Sequence, residues 1–164
     1  MIMRKDSAVS PVVGVMLMLV VTIIIAAVVS AFAGGLAGNT HKTPQTSIAA
    51  TATLPPSGNE TVFANNGGDV LDLNEIKVMF QSQDTKTTLT TTDVGTNCIA
   101  FQKVGSTSST MIKPGDSFKI VGKAAGYGTG VTYGSFAMYA DSKITWSVID
   151  KVSGGTIATG TVVL

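Results

Sequence analysis

The sequence predicts an α+β protein in which one long hydrophobic helix precedes an all-β antiparallel domain of sandwich or barrel-like form. Two observations predict this organisation. Residues Ser10 to Gly34 are apolar on every face, and no Asp, Glu, Lys or Arg occurs between Asp6 and Lys42. From Thr46 onward, short alternating runs rich in Thr, Val and Ile are separated by Gly, Pro, Asn and Asp turns, which is typical of antiparallel β structure.

The apolar run is long enough to cross a membrane, because a helix needs only ~20 residues to span ~30 Å of bilayer hydrocarbon. Ser10 predicts a cap at its start, with Pro11 at the first helical position. The Gly-rich stretch from Gly34 to Gly38 predicts its end. We therefore expect a helix over residues 9–38, a flexible linker over 39–45 and a β domain over 46–164.

Residues 1–8 read as a short leader. Arg4 and Lys5 favour a cytoplasmic N-terminus, which places the β domain outside the cell. The small residue Ala8 lies just before the apolar run, so cleavage after it keeps the helix in the mature chain.

The opening of the helix resembles the archaeal type IV pilins, which carry a short basic leader followed by a Val-Ser-Pro-Val-Ile/Val-Gly motif. Residues 8–17 read Ala-Val-Ser-Pro-Val-Val-Gly-Val-Met-Leu. The resemblance implies a class III signal peptide that a prepilin peptidase cuts between Ala8 and Val9. Ser7 stands where the family commonly has a charged residue. The resemblance is looser in the β domain, over residues 65–78, 113–116 and 146–155.

The resemblance also implies that the helices of many copies pack into a filament core. Bacterial pilins carry a glutamate at the fifth mature position, which is Val13 here, so assembly must depend on apolar packing. Small residues spaced four apart let helix backbones approach closely. The candidate packing residues are Ala26, Ala27, Ser30, Ala31 and Gly34. The alternative is that they are ordinary apolar residues of a single anchor.

Composition argues against several other functions. The net charge is +1, and the β domain has no Lys and Arg cluster of the kind that nucleic-acid binding requires. His41 is the only histidine and Cys98 the only cysteine, so neither a Cys–His pair nor a Ser–His–Asp triad is supplied. We expect Cys98 to be a packing residue, and we expect no enzymatic activity and no cofactor.

Two further motifs are better explained by structure than by ligand binding. Asp69, Asp72, Asn74 and Glu75 do not match the spacing of a calcium loop, so we expect them to cap turns and no metal to bind. The Gly-rich stretch 126–134 lacks phosphate-loop spacing, so we expect a surface loop whose tyrosines either pack or contact a neighbour.

The alternation predicts nine strands: Thr46–Thr53, Glu60–Ala64, Ile76–Ser82, Thr85–Thr91, Cys98–Val104, Ser117–Val121, Ser135–Tyr139, Lys143–Asp150 and Thr156–Val163. Turns are predicted at Asn65–Asp69, at Lys113–Asp116 in a type II form, and at Ser153–Gly155.

Asn59-Glu60-Thr61 is an N-glycosylation sequon beside a Pro-Pro-Ser-Gly turn, where we expect an exposed acceptor. The Ser/Thr runs 87–92 and 106–110 are candidates for O-linked sugar. Ordinary β propensity and a hydroxyl-rich solvent face explain them better.

Together these features predict the structural subunit of an archaeal type IV pilus that serves adhesion to surfaces or cells. Its partners would be other copies of itself, the membrane before assembly, and the prepilin peptidase with the assembly machinery. Its location would be the cell membrane and then an extracellular filament. The alternatives are a membrane-anchored extracellular binding module that never polymerises, and an archaellin-like subunit of a motility filament.

Overall fold

A computed structural model describes residues 9–36, 41–83, 85–125 and 130–164. The chain divides into two units, with the boundary between Thr40 and His41. The first contains helix α1 (Val9–Leu36), and the described part of the second contains thirteen strands. The predicted fold class, an apolar helix followed by antiparallel β structure, is confirmed.

The strands are β1 (Thr46–Thr53), β2 (Glu60–Gly68), β3 (Leu71–Asp72), β4 (Ile76–Gln81), β5 (Lys86–Leu89), β6 (Ala100–Lys103), β7 (Met111–Ile112), β8 (Ser117–Val121), β9 (Lys123–Ala124), β10 (Gly130–Tyr133), β11 (Phe136–Tyr139), β12 (Lys143–Asp150) and β13 (Thr156–Val163). A short 3-10 helix, Thr91–Asp93, follows β5.

The described helix α1 already includes Val9 and Ser10. The prediction that Ser10 caps the helix and that Pro11 is its first residue is therefore wrong. Pro11 fits nevertheless, because the N–H groups of a helix's first turn have no intrahelical acceptor. The described helix ends at Leu36, and residues 37 and 38 of the predicted span lie outside the described residues.

Two four-stranded antiparallel sheets form the body of the β unit. Their strand orders are β1-β2-β8-β6 and β13-β12-β4-β5. In β2, β4 and β8 buried residues alternate with partly exposed ones over most of the strand, because successive side chains point to opposite faces. Cα atoms of the edge strands β1 and β13 approach within 8 Å, which partly closes the sandwich on that side.

Aromatic side chains join the inner faces of the two sheets. The Phe63 ring of β2 lies 5.5 Å from Trp146 of β12 and 6.1 Å from Phe80 of β4, measured between ring centroids. Within its own sheet Phe63 stacks on Phe118 at 4.9 Å. Each such pair contributes about 0.5–1.5 kcal/mol beyond the burial of its area. These contacts make the domain a sandwich with one continuous core.

The Gly-rich stretch is only partly the surface loop that the sequence predicts. Residues 126–129, with Tyr127, lie outside the described residues, but Gly130–Tyr133 forms β10 in a three-stranded sheet with β9 and β11. Tyr133 is fully buried, and its hydroxyl lies 3.0 Å from Thr61 Oγ1 and donates to the Ile120 carbonyl at 3.2 Å. Burial raises its pKa to about 12. Tyr133 is therefore a packing residue.

Two of the three predicted turns are confirmed. Gly115 has a φ of +90°, and the Asp116 N–H donates to the Lys113 carbonyl at 2.9 Å. The hydrogen bond from Lys103 holds the pKa of the Asp116 carboxyl below its usual value. Gly154, with a φ of +73°, closes the β12–β13 hairpin.

The third predicted turn, Asn65–Asp69, is wrong because β2 continues to Gly68 and pairs there with Thr46 of β1. A shift in register between Ser47 and Ile48 accommodates the extra residue.

The predicted flexible linker 39–45 is too long. The Gln45 N–H donates to Asp69 Oδ2 and the Asp69 N–H donates to the Gln45 carbonyl, both at 2.9 Å. Thr43 Oγ1 lies 2.8 Å from Ser153 Oγ, and the absent Cβ of Gly155 leaves the space that the Thr43 side chain occupies. These contacts fix residues 43–45 to the β unit.

A hydrogen-bonded loop covers Cys98, which is fully buried as predicted. The Asp93 carboxylate accepts hydrogen bonds from Thr90 N and Thr90 Oγ1 and from Asn97 Nδ2, each at 2.8 Å. Burial raises the pKa of Asp93, but these hydrogen bonds outweigh it and hold the pKa below its ordinary value of 3.8. Burial also raises the pKa of the Cys98 thiol.

We predict that Asp93→Asn lowers the free energy of unfolding by about 1–2 kcal/mol at neutral pH, because an amide cannot accept every hydrogen bond that the carboxylate accepts. A depressed carboxyl pKa stabilises the fold above the unfolded-state value, and this contribution is lost as pH falls through the lower folded value. The difference between variant and parent should therefore shrink below pH 3.8. Trp146, the single tryptophan and 4% exposed, reports unfolding by fluorescence.

The matched control is Asp72→Asn. Asp72 Oδ1 accepts one bond, from the Asn74 N–H at 3.0 Å, and an amide oxygen can accept it equally. Equal unfolding midpoints for the Asp93 variant and the parent at neutral pH would contradict the assignment.

Candidate functional site

Helix α1 carries an unusually large exposed apolar surface. Fifteen large apolar side chains between Val12 and Phe32 are 43–72% exposed, and Pro11–Ala33 is long and apolar enough to cross a membrane. Covering each such side chain is worth roughly 1.5–3 kcal/mol, so the total exceeds the ~5–15 kcal/mol stability of an ordinary domain. This surface requires lipid or other chains around it.

From Ala26 onward the helix presents two unlike faces, although Ile23, one turn earlier, lies on the same side as the small residues. At 100° per residue, Ala26, Ala27, Ser30, Ala31 and Gly34 fall within an arc of roughly 140°. The opposite arc carries the bulky side chains Val21, Ile25, Val28 and Phe32. The small face can approach another helix backbone more closely than the bulky face can.

One polar group in the exposed apolar segment is satisfied locally. Thr22 Oγ1 donates to the Leu19 carbonyl at 2.8 Å, a back-bond that Thr makes within helices. Thr22 therefore adds little polarity to the surface.

The beginning of the chain matches a known family of domains. Residues 7–48 match the family of archaeal type IV pilin N-terminal domains. The match covers the whole of helix α1 and the first three residues of β1, about a quarter of the chain. It confirms the resemblance that the opening motif indicates. The protein is thus pilin-like at its N-terminus.

Comparison with other proteins adds two structural likenesses to the pilin match. A chain of the archaellum periplasmic stator protein complex FlaF and FlaG from Sulfolobus acidocaldarius is 16% identical, with a TM-score of 0.43 over 76% of this chain and 91% of that chain. The archaellum periplasmic stator protein FlaG from the same organism is 21% identical, with a TM-score of 0.41 over 73% and 100%. These scores are too low to bear on function. No curated protein matches the sequence.

The predicted cleavage residues flank the start of the pilin-like helix. Val9 is its first described residue, and Ala8 lies outside the described residues. The bond between them stays a prediction.

The sequon is less accessible than the sequence predicts. Asn59 is half-buried, and its Nδ2 donates to the Gly122 carbonyl at 2.8 Å. Thr61, the hydroxyl residue of the sequon, is 2% exposed and bonded to Tyr133. Pairing of β2 with β1 and β8 turns this side of the strand inward, so the expected exposed acceptor is wrong for the folded domain. Glycosylation itself stays a prediction.

In the acidic stretch Asp72 has the predicted capping role, because its carboxylate accepts the Asn74 N–H two residues on. Asp69 instead accepts the Gln45 N–H and so joins the start of β1 to the end of β2. Asp150 caps the last hairpin, because its Oδ2 accepts the Ser153 N–H at 2.7 Å. Burial raises the pKa of Asp150, but the hydrogen bonds from Ser153 outweigh burial and hold this pKa below its usual value. Among the described residues, no group of three His, Cys, Asp or Glu residues could hold a metal ion.

We predict that sugar can be attached to Asn59 only before the β unit folds, because the folded strand buries Thr61. Chains translated into membranes that carry an oligosaccharyltransferase should gain sugar at Asn59, whereas folded protein offered to the same membranes should gain none. Glycopeptide mass spectrometry measures both.

The matched control is Thr107→Asn, which creates a sequon with Ser109 in an exposed stretch. This sequon should accept sugar before and after folding. Attachment of sugar to Asn59 in folded protein would contradict the prediction.

Proposed function

We propose that this protein is the structural subunit of an archaeal type IV pilus. The observation that carries the proposal is the exposed surface of α1, 28 residues long and without a charged side chain, in a segment that matches archaeal type IV pilin N-terminal domains. A membrane can cover this surface before assembly, and other copies of the helix can cover it in a filament. One segment thus serves both as an anchor and as a polymerisation element.

Assembly would follow removal of the leader by a prepilin peptidase between Ala8 and Val9. Val13 carries no charge, so no buried ion pair orients the incoming subunit. The small face containing Ala26, Ala27, Ser30, Ala31 and Gly34 is the proposed contact, because backbones that approach closely gain van der Waals contact that lipid cannot supply. The β domains would form the outer wall and serve adhesion rather than catalysis.

Two alternatives share part of this support. A membrane-anchored module also needs an apolar helix, and lipid alone would then cover it. An archaellin-like subunit would polymerise through the same kind of helix but serve motility. Filament formation would exclude the membrane-anchored module. Cells that lose the protein and then lose swimming but keep adhesion would favour the archaellin-like subunit.

We predict that filaments sheared from cells producing the protein contain it as a repeating subunit whose N-terminal peptide begins at Val9. Electron microscopy and mass spectrometry of the sheared fraction test this. An N-terminal peptide that begins at Met1 or beyond Gly34 would contradict the processing. Protein found only in the membrane fraction would favour the anchored module.

We predict that Ala27→Leu and Ala31→Leu leave membrane insertion intact but reduce the sheared filament fraction at least about tenfold, because a loss of ~1.4 kcal/mol at one contact gives that factor. Both changes keep the segment apolar, so only the added bulk separates neighbouring helices. Immunoblots of the membrane and sheared fractions measure the effect.

The matched control is Val28→Leu, which adds bulk on the opposite, already bulky face and should leave filament yield unchanged. Leu19→Ile serves as a volume-conserving second control. Normal filament yield from both alanine variants would show that the small face is not the contact.

A further inference from the structure

A polar cleft lies at one end of the sheet β13-β12-β4-β5. Its volume is about 520 Å³, within the ~300–1,000 Å³ range of small-molecule sites. The end of β4 with Ser82 and Gln83 forms one wall, and the turn between β11 and β12 with the start of β12 forms the other. The lining includes Gln81, Gln83, Asp141, Ser142, Lys143 and Thr145.

Strand register fixes two of these side chains on the outer face. Gln81 of β4 lies opposite Thr145 of β12, and the neighbouring pair, Phe80 and Trp146, is buried in the core. Because successive side chains alternate between faces, Gln81 and Thr145 point away from the core together. The cleft therefore rests on rigid strands rather than on turns alone.

The opposite wall contains Asp141, the single non-glycine residue with a positive φ, +64°, in the described ranges. Its N–H donates to the Leu164 carbonyl at 2.8 Å, and the Leu164 N–H donates to the Ser142 carbonyl at 3.2 Å. The last residue of the described chain therefore fixes this turn against β13. Unusual backbone conformations of this kind are concentrated at ligand sites, although Asp tolerates this one better than most residues do.

The chemistry of the lining selects a class of ligand. The two glutamine amides both donate and accept, Asp141 accepts, and Lys143 donates. Within the part of the chain that the structure describes, no hydrogen bond uses the side-chain polar atoms of Gln81, Gln83, Asp141, Lys143 or Thr145. Among the described lining residues of the cleft itself, the Asp141 carboxylate and the Lys143 ammonium group cancel in charge, which gives an anion such as phosphate no net attraction there. The shortage of apolar side chains disfavours lipid.

We propose that this cleft binds a neutral oligosaccharide through its hydroxyl groups. Sugar hydroxyls both donate and accept, which matches amide, hydroxyl and carboxylate partners. A second depression, lined by Gln81, Gln83, Thr85 and Lys86 among others, shares residues with the cleft, so a chain of sugars rather than a single ring fits the surface. The Lys86 ammonium group there can donate to sugar hydroxyls. The inference rests on the proposed function only in placing the β unit outside the cell, where a cell-surface glycan can reach it.

The experiment uses the full chain in lipid nanodiscs, so that binding is measured on single subunits without polymerisation. The probes are neutral trisaccharides of glucose, of mannose and of N-acetylglucosamine, followed by saturation-transfer NMR. We expect millimolar binding of at least one probe. Gln81→Ala and Thr145→Val each remove outward polar atoms without touching the core, and each should weaken that binding at least about threefold.

The matched control is Gln102→Ala, a glutamine on β6 of the other four-stranded sheet, which should bind the probe as the parent does. Two results would overturn the proposal: no transfer to any probe, or transfer that both cleft variants retain unchanged. If unchanged transfer is accompanied by a reduced sheared-filament yield in those variants, the cleft is a contact between subunits instead. Failure of filament formation with normal sugar binding would instead count against the pilus and leave the cleft standing.

Discussion

The exposed apolar surface of helix α1 is the constraint on which the rest of the protein depends. Side chains that are all exposed along Pro11–Ala33 cannot remain in water, so the chain must always keep this segment in lipid or against other apolar helices. The two environments differ little in polarity. In the proposed filament, packing would distinguish them, because a neighbouring helix can approach the small face around Ala27 and Ala31 more closely than lipid tails can.

The β unit meets a different requirement, since it has to hold its shape in water. The aromatic cluster of Phe63, Phe80, Phe118 and Trp146 provides one core shared by both sheets. The contacts of Gln45 with Asp69 and of Thr43 with Ser153 then fix the entering chain to that unit. A force transmitted along the chain into the β unit would therefore act on these hydrogen bonds and on the β1–β2 pairing.

Two features of the β unit concern its chemistry toward other molecules. Strand β2 places the sequon residue Thr61 in the core, where its hydroxyl and that of Tyr133 satisfy each other. The polar cleft beside Gln81 and Asp141 has the opposite character, with polar atoms directed outward. In a filament subunit, folding would therefore close the sequon to modification, whereas the cleft would stay accessible to ligands.

The sequence by itself determined that a long apolar helix precedes the β unit, and it determined the bounds of four strands to the residue: Thr46–Thr53, Ser117–Val121, Lys143–Asp150 and Thr156–Val163. Hydrophobicity and alternation are local properties, so they can be read from neighbouring residues. The tertiary structure alone decided that Asn65–Gly68 continues β2, that Val131 and Tyr133 enter the core, and that Thr61 is buried. It also brought Gln81 to Asp141. These depend on pairing between segments far apart in the chain, and no local pattern in a single sequence specifies which strand another strand will join.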